Sequence, residues 1–175
     1  FPRVRRLRLA VSNTTSETLA GLASLRDLQE LMLQDTPLTD SELSQILAEK
    51  PALERLTLRR LSQVTDGIAQ TLVKLPKLQV LALIEMNRVS GITLDELRAV
   101  SQLRSLDLRD CGGLSAEDLK KLVQLAQLSE LKLAGPAIND DVLATVAQNP
   151  GITSLVIEDA QVSGACLQRL AAEPA

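Results

Sequence analysis

Leu53-Glu54-Arg55-Leu56-Thr57-Leu58 opens the stretch that decides the fold, and Pro76 closes it. Leu56 and Leu58 fall on one side of the segment, whereas Arg55, Thr57 and Arg59 fall on the other. Alternation with a period of two marks a half-buried strand. Next come Val64, then Thr65-Asp66, then Ile68, Leu72 and Leu75 spaced along one face of a helix. Pro76 stops that helix, because it lacks an amide hydrogen and its ring clashes with the preceding turn. Leu78 then opens a second strand.

The same unit recurs in both directions. An apolar residue, two variable residues, Leu, one variable residue and an apolar residue appear at Val4-Leu7-Leu9, Leu28-Leu31-Leu33, Leu53-Leu56-Leu58 and Leu78-Leu81-Leu83. They return at Leu103-Leu106-Leu108, Leu128-Leu131-Leu133 and Ile152-Leu155-Ile157, with copies 24 or 25 residues apart. A fixed period of this length is the signature of a solenoid. The expectation is one elongated repeat domain over residues 1–175, with repeats starting near 4, 28, 53, 78, 103, 128 and 152. Each unit reads as strand, loop, helix, loop. Helices are wider than strands, so the stack should curve into a right-handed α/β horseshoe, with a parallel sheet inside and helices outside. Leu31, Leu56, Leu81, Leu106, Leu131 and Leu155 should all be buried.

Thr39, Thr65, Ser90, Ser115, Asn139 and Ser163 recur just before the helical segments. Each is a good N-cap, whose side-chain oxygen accepts an orphan helix N–H. Thr39 with Glu42 makes a capping box, and Ser115 with Asp118 a weaker one. Asp40, Asp66, Glu117, Asp140 and Asp141 place negative charge at the positive end of the helix dipole. Pro51, Pro76 and Pro150 punctuate helix ends.

Composition removes several function classes. Phe1 is the single aromatic residue, so the core must be aliphatic. There is no His, which takes away the commonest general base and metal ligand. No Ser or Cys therefore has a histidine to activate it, and Gly112-Gly113 is too short for a phosphate loop. The net charge of −3 argues against a polyanion partner. Nucleic-acid readers bring a larger basic surface and stacking aromatics. No window is long and apolar enough to span a membrane. Cys111 and Cys166 are too few for a zinc site or a disulfide framework and read as free thiols. Cysteine usage leaves the compartment open between cytoplasm and export. The start at Phe1 without Met points to a chain processed or excised from a longer protein.

The registered motif resembles the leucine-rich repeat family over nearly the whole chain. The 24–25-residue length and helical second half are similar to the ribonuclease-inhibitor-like and cysteine-containing subtypes. The runs Leu38-Thr39-Asp40 and Val64-Thr65-Asp66 resemble bacterial versions. Three residues after the last strand Leu, the family often carries Asn or Cys, which bonds the turning backbone. Here that column reads Ser12, Thr36, Leu61, Met86, Cys111, Pro136 and Ala160, and Cys111 alone matches the subtype. The resemblance implies a ligand-binding scaffold without cofactor.

Side chains pointing away from the core form rows across the strands. The first is Arg6, Glu30, Arg55, Val80, Ser105, Glu130 and Ser154. The second is Arg8, Met32, Thr57, Ala82, Asp107, Lys132 and Val156, and the third Ala10, Gln34, Arg59, Ile84, Arg109, Ala134 and Glu158. Neighbours along a row should lie about 5 Å apart. In the fourth repeat Val80, Ala82 and Ile84 form an apolar stripe with Met32 nearby, flanked by basic residues that include Arg55 and Arg59. An apolar centre with charged flanks is typical of a protein interface. Asp107 and Arg109 extend the candidate site on the other side. Just beyond the third row runs an acidic rim of Asp35, Glu85, Asp110 and Asp159, interrupted by Arg60. Arg3, Arg5, Arg6 and Arg8, with Pro2, protect the edge of the first strand; phosphate binding is the sharper alternative. Asp107 and Glu130 as a catalytic carboxylate pair are better explained by their basic neighbours. The leading expectation is a non-enzymatic scaffold that binds a protein partner, and not nucleic acid, on its concave face. The alternative is a structural spacer or assembly module.

Overall fold

The computed structural model describes residues 3–10, 19 and 21–172. Phe1, Pro2 and the turn residue Ser12 lie outside them. Seven parallel strands form one open sheet in chain order. They are β1 (Arg6–Ala10), β2 (Glu30–Gln34), β3 (Arg55–Arg59), β4 (Val80–Ile84), β5 (Ser105–Asp107), β6 (Glu130–Ala134) and β7 (Ser154–Glu158). Between successive strands from β2 onward, the chain crosses the opposite layer through α1 (Asp40–Ala48), α2 (Ala69–Val73), α3 (Gly91–Leu97), α4 (Ala116–Lys120) and α5 (Asp140–Val146); α6 (Gly164–Ala172) follows β7. Turns of 3₁₀ helix at Gly21–Ser24, Asp66–Ile68 and Lys121–Gln124 complete the convex layer. The architecture is an α/β leucine-rich-repeat solenoid.

The repeat length becomes the strand register. Leu7 pairs with Leu31, Leu31 with Leu56, Leu56 with Leu81, and so on through Leu106, Leu131 and Leu155. Leu31, Leu56, Leu81, Leu106 and Leu131 are fully buried. Leu155 departs from the expectation: it is 38% exposed. β7 is the last strand of the sheet, so no neighbouring repeat packs over its outer side. Arg109 also falls outside β5, although Leu108 N–H to Lys132 O (2.9 Å) and Asp110 N–H to Ala134 O (3.1 Å) continue the ladder.

All six N-caps hold. Thr39 accepts from Glu42 N–H, Thr65 from Gly67, Ser90 from Ile92, Ser115 from Asp118, Asn139 from Val142 and Ser163 from Cys166. Both capping boxes are complete. Three of the acidic residues assigned to the helix dipole do more. Asp40 accepts both the backbone N–H (2.8 Å) and the hydroxyl (2.5 Å) of Thr65, the N-cap of the next repeat. Asp66 does the same for Ser90 at 2.8 and 2.6 Å and also receives the Thr93 hydroxyl at 2.6 Å. Asp140 repeats the pattern on Ser163. The pairs Thr39-Asp40, Thr65-Asp66 and Asn139-Asp140 thus each cap their own helix and clamp the N-cap of the next repeat.

A second column clamps the helix C-termini, whose last carbonyls lack intrahelical partners. Lys50 Nζ donates to Ala23 O at 3.0 Å, and Gln102 Nε2 to Leu75 O at 2.7 Å. Gln127 reaches Leu97 O and Val100 O, and buried Asn149 reaches Leu122 O and Leu125 O. Lys50 is itself only 1% exposed, and burial lowers its pKa.

Two stability measurements follow. Leu81→Ala removes a fully buried ladder side chain and should cost about 2–5 kcal/mol by denaturant unfolding; a cost below about 1 kcal/mol would contradict its central position. Burial pushes the Asp66 carboxyl up, but the hydrogen bonds from Ser90 and Thr93 outweigh it and leave the group below its ordinary value. A depressed carboxylate stabilises the fold above its unfolded pKa, near 3.9, and loses that contribution as pH falls through the folded value. The stability gap between the parent chain and Asp66→Asn should therefore narrow as pH drops from about 6 toward 2.5. A gap independent of pH would show that the Asp66 charge does not hold the repeats together.

Candidate interaction face

The sheet brings the three side-chain rows into register. Arg55 pairs with Val80, Thr57 with Ala82 and Arg59 with Ile84, while Val80 pairs with Ser105 and Ala82 with Asp107. Met32 sits beside Thr57. The stripe is less open than alternation alone suggests. Ala82 is 8% exposed, and Val80, Ile84 and Met32 are half-buried. Arg55, Thr57 and Arg59 stand beside the stripe on β3, and Ser105 and Asp107 on β5.

That charge is largely paired within the chain. Arg60 makes a two-bond fork to Asp35, with both contacts at 2.7 Å, and reaches Glu85 at 3.1 Å. Arg59 donates twice to the same Glu85 oxygen at 2.6 and 2.9 Å. The Arg60 fork holds the Asp35 pKa down at about 2, and Arg59 with Arg60 lowers that of Glu85. Arg109 forks onto Asp107 at 2.8 and 3.0 Å and spans to Glu158 at 3.3 Å. Lys132 pairs with Glu130 at 3.0 Å and, followed by Ser105, lowers its pKa. Asp107 and Glu130 each have a cation two residues along the chain, as their sequence neighbours suggested. Arg8 and Arg6 share Glu30 at 3.0 and 3.8 Å. Arg55 is different. Its side chain is exposed and makes no hydrogen bond or ion pair among the described residues, acting on Glu130 only through space.

The rim column has a backbone cause that the sequence reading missed. Asp35, Arg60, Glu85, Asp110 and Asp159 all adopt φ between 50° and 58°, and Gly135 holds the same column at φ 122°. A left-handed residue turns the chain out of each strand. This conformation costs most side chains about 1–2 kcal/mol, while Asp tolerates it through local bonding and Gly adopts it freely. Gly135, alone among acids and Arg60, was the signal in the sequence. One residue further into the turn, the Cys111 thiol donates to Leu83 O at 2.9 Å, the backbone bond its column position implies. The corresponding Thr36 hydroxyl is buried without a partner.

Among the described residues no group of three His, Cys, Asp or Glu side chains is placed to hold a metal ion, and no helix is long and apolar enough to cross a membrane.

No protein-family model matches the chain, and no curated protein matches it. Solved structures do. The chain is similar to one in the crystal structure of the Rad7 and Elc1 complex in yeast, with a TM-score of 0.62 and 16% identity over 94% of this chain and 52% of that one. It is equally similar, at TM-score 0.62 and 18% identity, to the leucine-rich repeat-containing protein LegL7 from Legionella pneumophila, over 91% of this chain and 58% of that one. The chain spans between half and three-fifths of the length of these structures. At such identities the likeness establishes the fold.

Cys111 and Cys166 are both free and buried. Burial pushes the Cys111 thiol up to about 11. Near neutral pH the native protein should leave Cys111 unlabelled by a maleimide, and under denaturing, non-reducing conditions both cysteines should label fully. An intramolecular disulfide seen by mass spectrometry would contradict this assignment.

Proposed function

We propose that the chain is a non-catalytic scaffold whose concave sheet face binds a protein partner, the whole repeat array acting as one domain. The observation that carries this reading is a rigid seven-strand sheet with side chains at fixed spacing and one uncompensated cation, Arg55, beside the fourth-repeat stripe. Rigidity limits the conformational entropy lost on binding. Val80, Ala82 and Ile84 form the apolar centre, with Met32, Arg55 and Arg59 on one flank and Asp107 and Arg109 on the other. A structure of this fold solved in complex with another protein is consistent with such a role. The side-chain chemistry supports a non-enzymatic reading: the chain lacks histidine, the thiol of Cys111 is protonated and buried, and the carboxylates of Asp107 and Glu130 are each tied to a cation. The basic residues of this face are few and mostly neutralised, which favours a protein over a nucleic acid.

The second reading is a structural spacer within a larger protein. The internal pairing of Arg59, Arg60, Arg109 and Lys132 favours it, since a face that satisfies its own charges needs no ligand. The partner-binding reading is tested by crosslinking capture from the source cell and measurement with the purified partner. Ile84→Asp should weaken binding at least tenfold with the fold intact. Arg55→Ala should mainly slow association and flatten its salt dependence. Arg59→Ala should act less cleanly, because it also releases Glu85. Glu117→Ala on the convex side is the control and should leave binding unchanged. If convex substitutions abolish binding and Ile84→Asp does not, the concave-face reading is wrong.

A further inference from the structure

One cavity lies outside the face described so far. It opens on the strand-to-helix edge between the fifth and sixth repeats and has a volume of about 240 Å³. Its wall is aliphatic, with Leu108, Leu119 and Leu133 buried beneath it.

The cavity exists because one repeat lacks a packing side chain. In the turn column, Leu61, Met86 and Cys111 are 2%, 1% and 7% exposed, each filling the space beneath its own loop. In the sixth repeat the residue in that column is Pro136, which is exposed and stands at the edge of the cavity instead of filling it. The preceding residue, Gly135, has no side chain, and Ala134 and Ala137 are short. The loop is also tighter: Ile138 follows Leu133 by five residues, whereas Leu114 follows Leu108 by six. Space filled by one buried side chain in earlier repeats is therefore left open.

The mouth is charged. Asp110 lines it, is exposed, and makes no side-chain hydrogen bond or ion pair among the described residues. Its counterparts Asp35 and Glu85 in the same rim column are held by Arg60 and Arg59, while Asp159 in the last repeat is exposed and unpaired like Asp110 among the described residues but lines no such cavity. The thiol of Cys111 is already bonded to Leu83 O, so the cavity wall does not demand a polar ligand. An apolar well with one unpaired carboxylate at its lip selects an apolar group carried next to a cation.

Size narrows the choice further. An apolar cavity of about 150 Å³ takes benzene, and drug-sized pockets begin near 300 Å³. This cavity suits one aromatic or branched aliphatic group. Pockets of that kind receive the anchor side chains that dominate protein interfaces. The lining residues Leu108 and Asp110 flank Arg109 in the chain, and Ala134 of the third face row also lines the cavity, so it adjoins the candidate face.

We infer that this cavity is an anchor site for a protein partner, taking one large apolar side chain whose neighbour in the partner is Lys or Arg. The inference rests on the scaffold reading above and names the chemistry of the segment the scaffold would hold.

The test uses the whole chain and NMR titration with phenethylammonium, with 2-phenylethanol and 3-phenylpropionate as neutral and anionic analogues at matched ionic strength. Saturable shifts are expected at the Gly112 and Gly135 amides and the Ala134 and Ala137 methyls. The ammonium should bind about two- to fivefold more tightly than the alcohol, the range expected for an exposed charge pair, and the carboxylate least well. Asp110→Asn should erase the difference between ammonium and alcohol. Ala137→Leu should fill the cavity and abolish all three titrations; if it disturbs the spectrum elsewhere, Ala134→Val is the substitute. A capped peptide containing Phe-Arg should shift the same resonances and fail to do so in the filled variant. The inference is overturned if no saturable shift appears at these nuclei, if the carboxylate binds as well as the ammonium, or if only the free amine and not the peptide binds. With a partner in hand the two readings separate. Binding lost with Ile84→Asp alone removes the anchor site and leaves the concave scaffold. Binding lost with Ala137→Leu alone keeps the anchor site and removes the concave stripe.

Discussion

The lateral stacking of leucines across the sheet is the constraint on which everything else depends. Leu31, Leu56, Leu81, Leu106 and Leu131 occupy one line because each repeat is 24 or 25 residues long and the strands pair in parallel. A slip of one residue would turn every leucine outward and every Arg, Glu and Thr of the face inward. No single repeat buries its own apolar face; each is covered by the next. Leu155 shows the rule by its exception, because the strand that carries it has a neighbour on one side only.

Two polar ladders transmit the same register to the convex layer. The carboxylates of Asp40, Asp66 and Asp140 hold the N-cap of the following repeat, and Lys50, Gln102, Gln127 and Asn149 hold the helix C-termini of the preceding one. The helices are only five to nine residues long and would not persist alone. Fastening both ends to a neighbour removes the unsatisfied backbone groups that make short helices marginal.

On the functional side, the structure moves the emphasis from where charges are to which charges are already spent. Arg59 and Arg60 read as part of a basic flank in the sequence and Arg109 as part of the opposite side, and each is neutralised by a carboxylate one or two repeats away or two residues along the chain. Arg55 and Asp110, one on each side of the fourth repeat, are among the charges left without a side-chain partner among the described residues.

The division between what was legible in the sequence and what was not follows from the range of the interactions. Strand registry, the half-buried alternation, all six N-caps and the carboxylate–cation pairs of Asp107 and Glu130 depend on residues at fixed short spacing or on a strict period, so one dimension suffices for them; the backbone bond of Cys111 was implied only by the family resemblance. The candidate site was legible as rows of residues, and the sheet places those rows side by side as counted. Burial of the stripe was not legible, because the neighbours of Val80, Ala82 and Ile84 stand on other strands. The left-handed rim and the inter-repeat Asp clamps join residues about 25 positions apart through backbone geometry that composition does not encode. The cavity beside Asp110 depends on a missing side chain, on Pro136 standing at its edge and on a loop one residue short. A vacancy of that kind has no sequence signature of its own, and only packing two repeats together in three dimensions creates it.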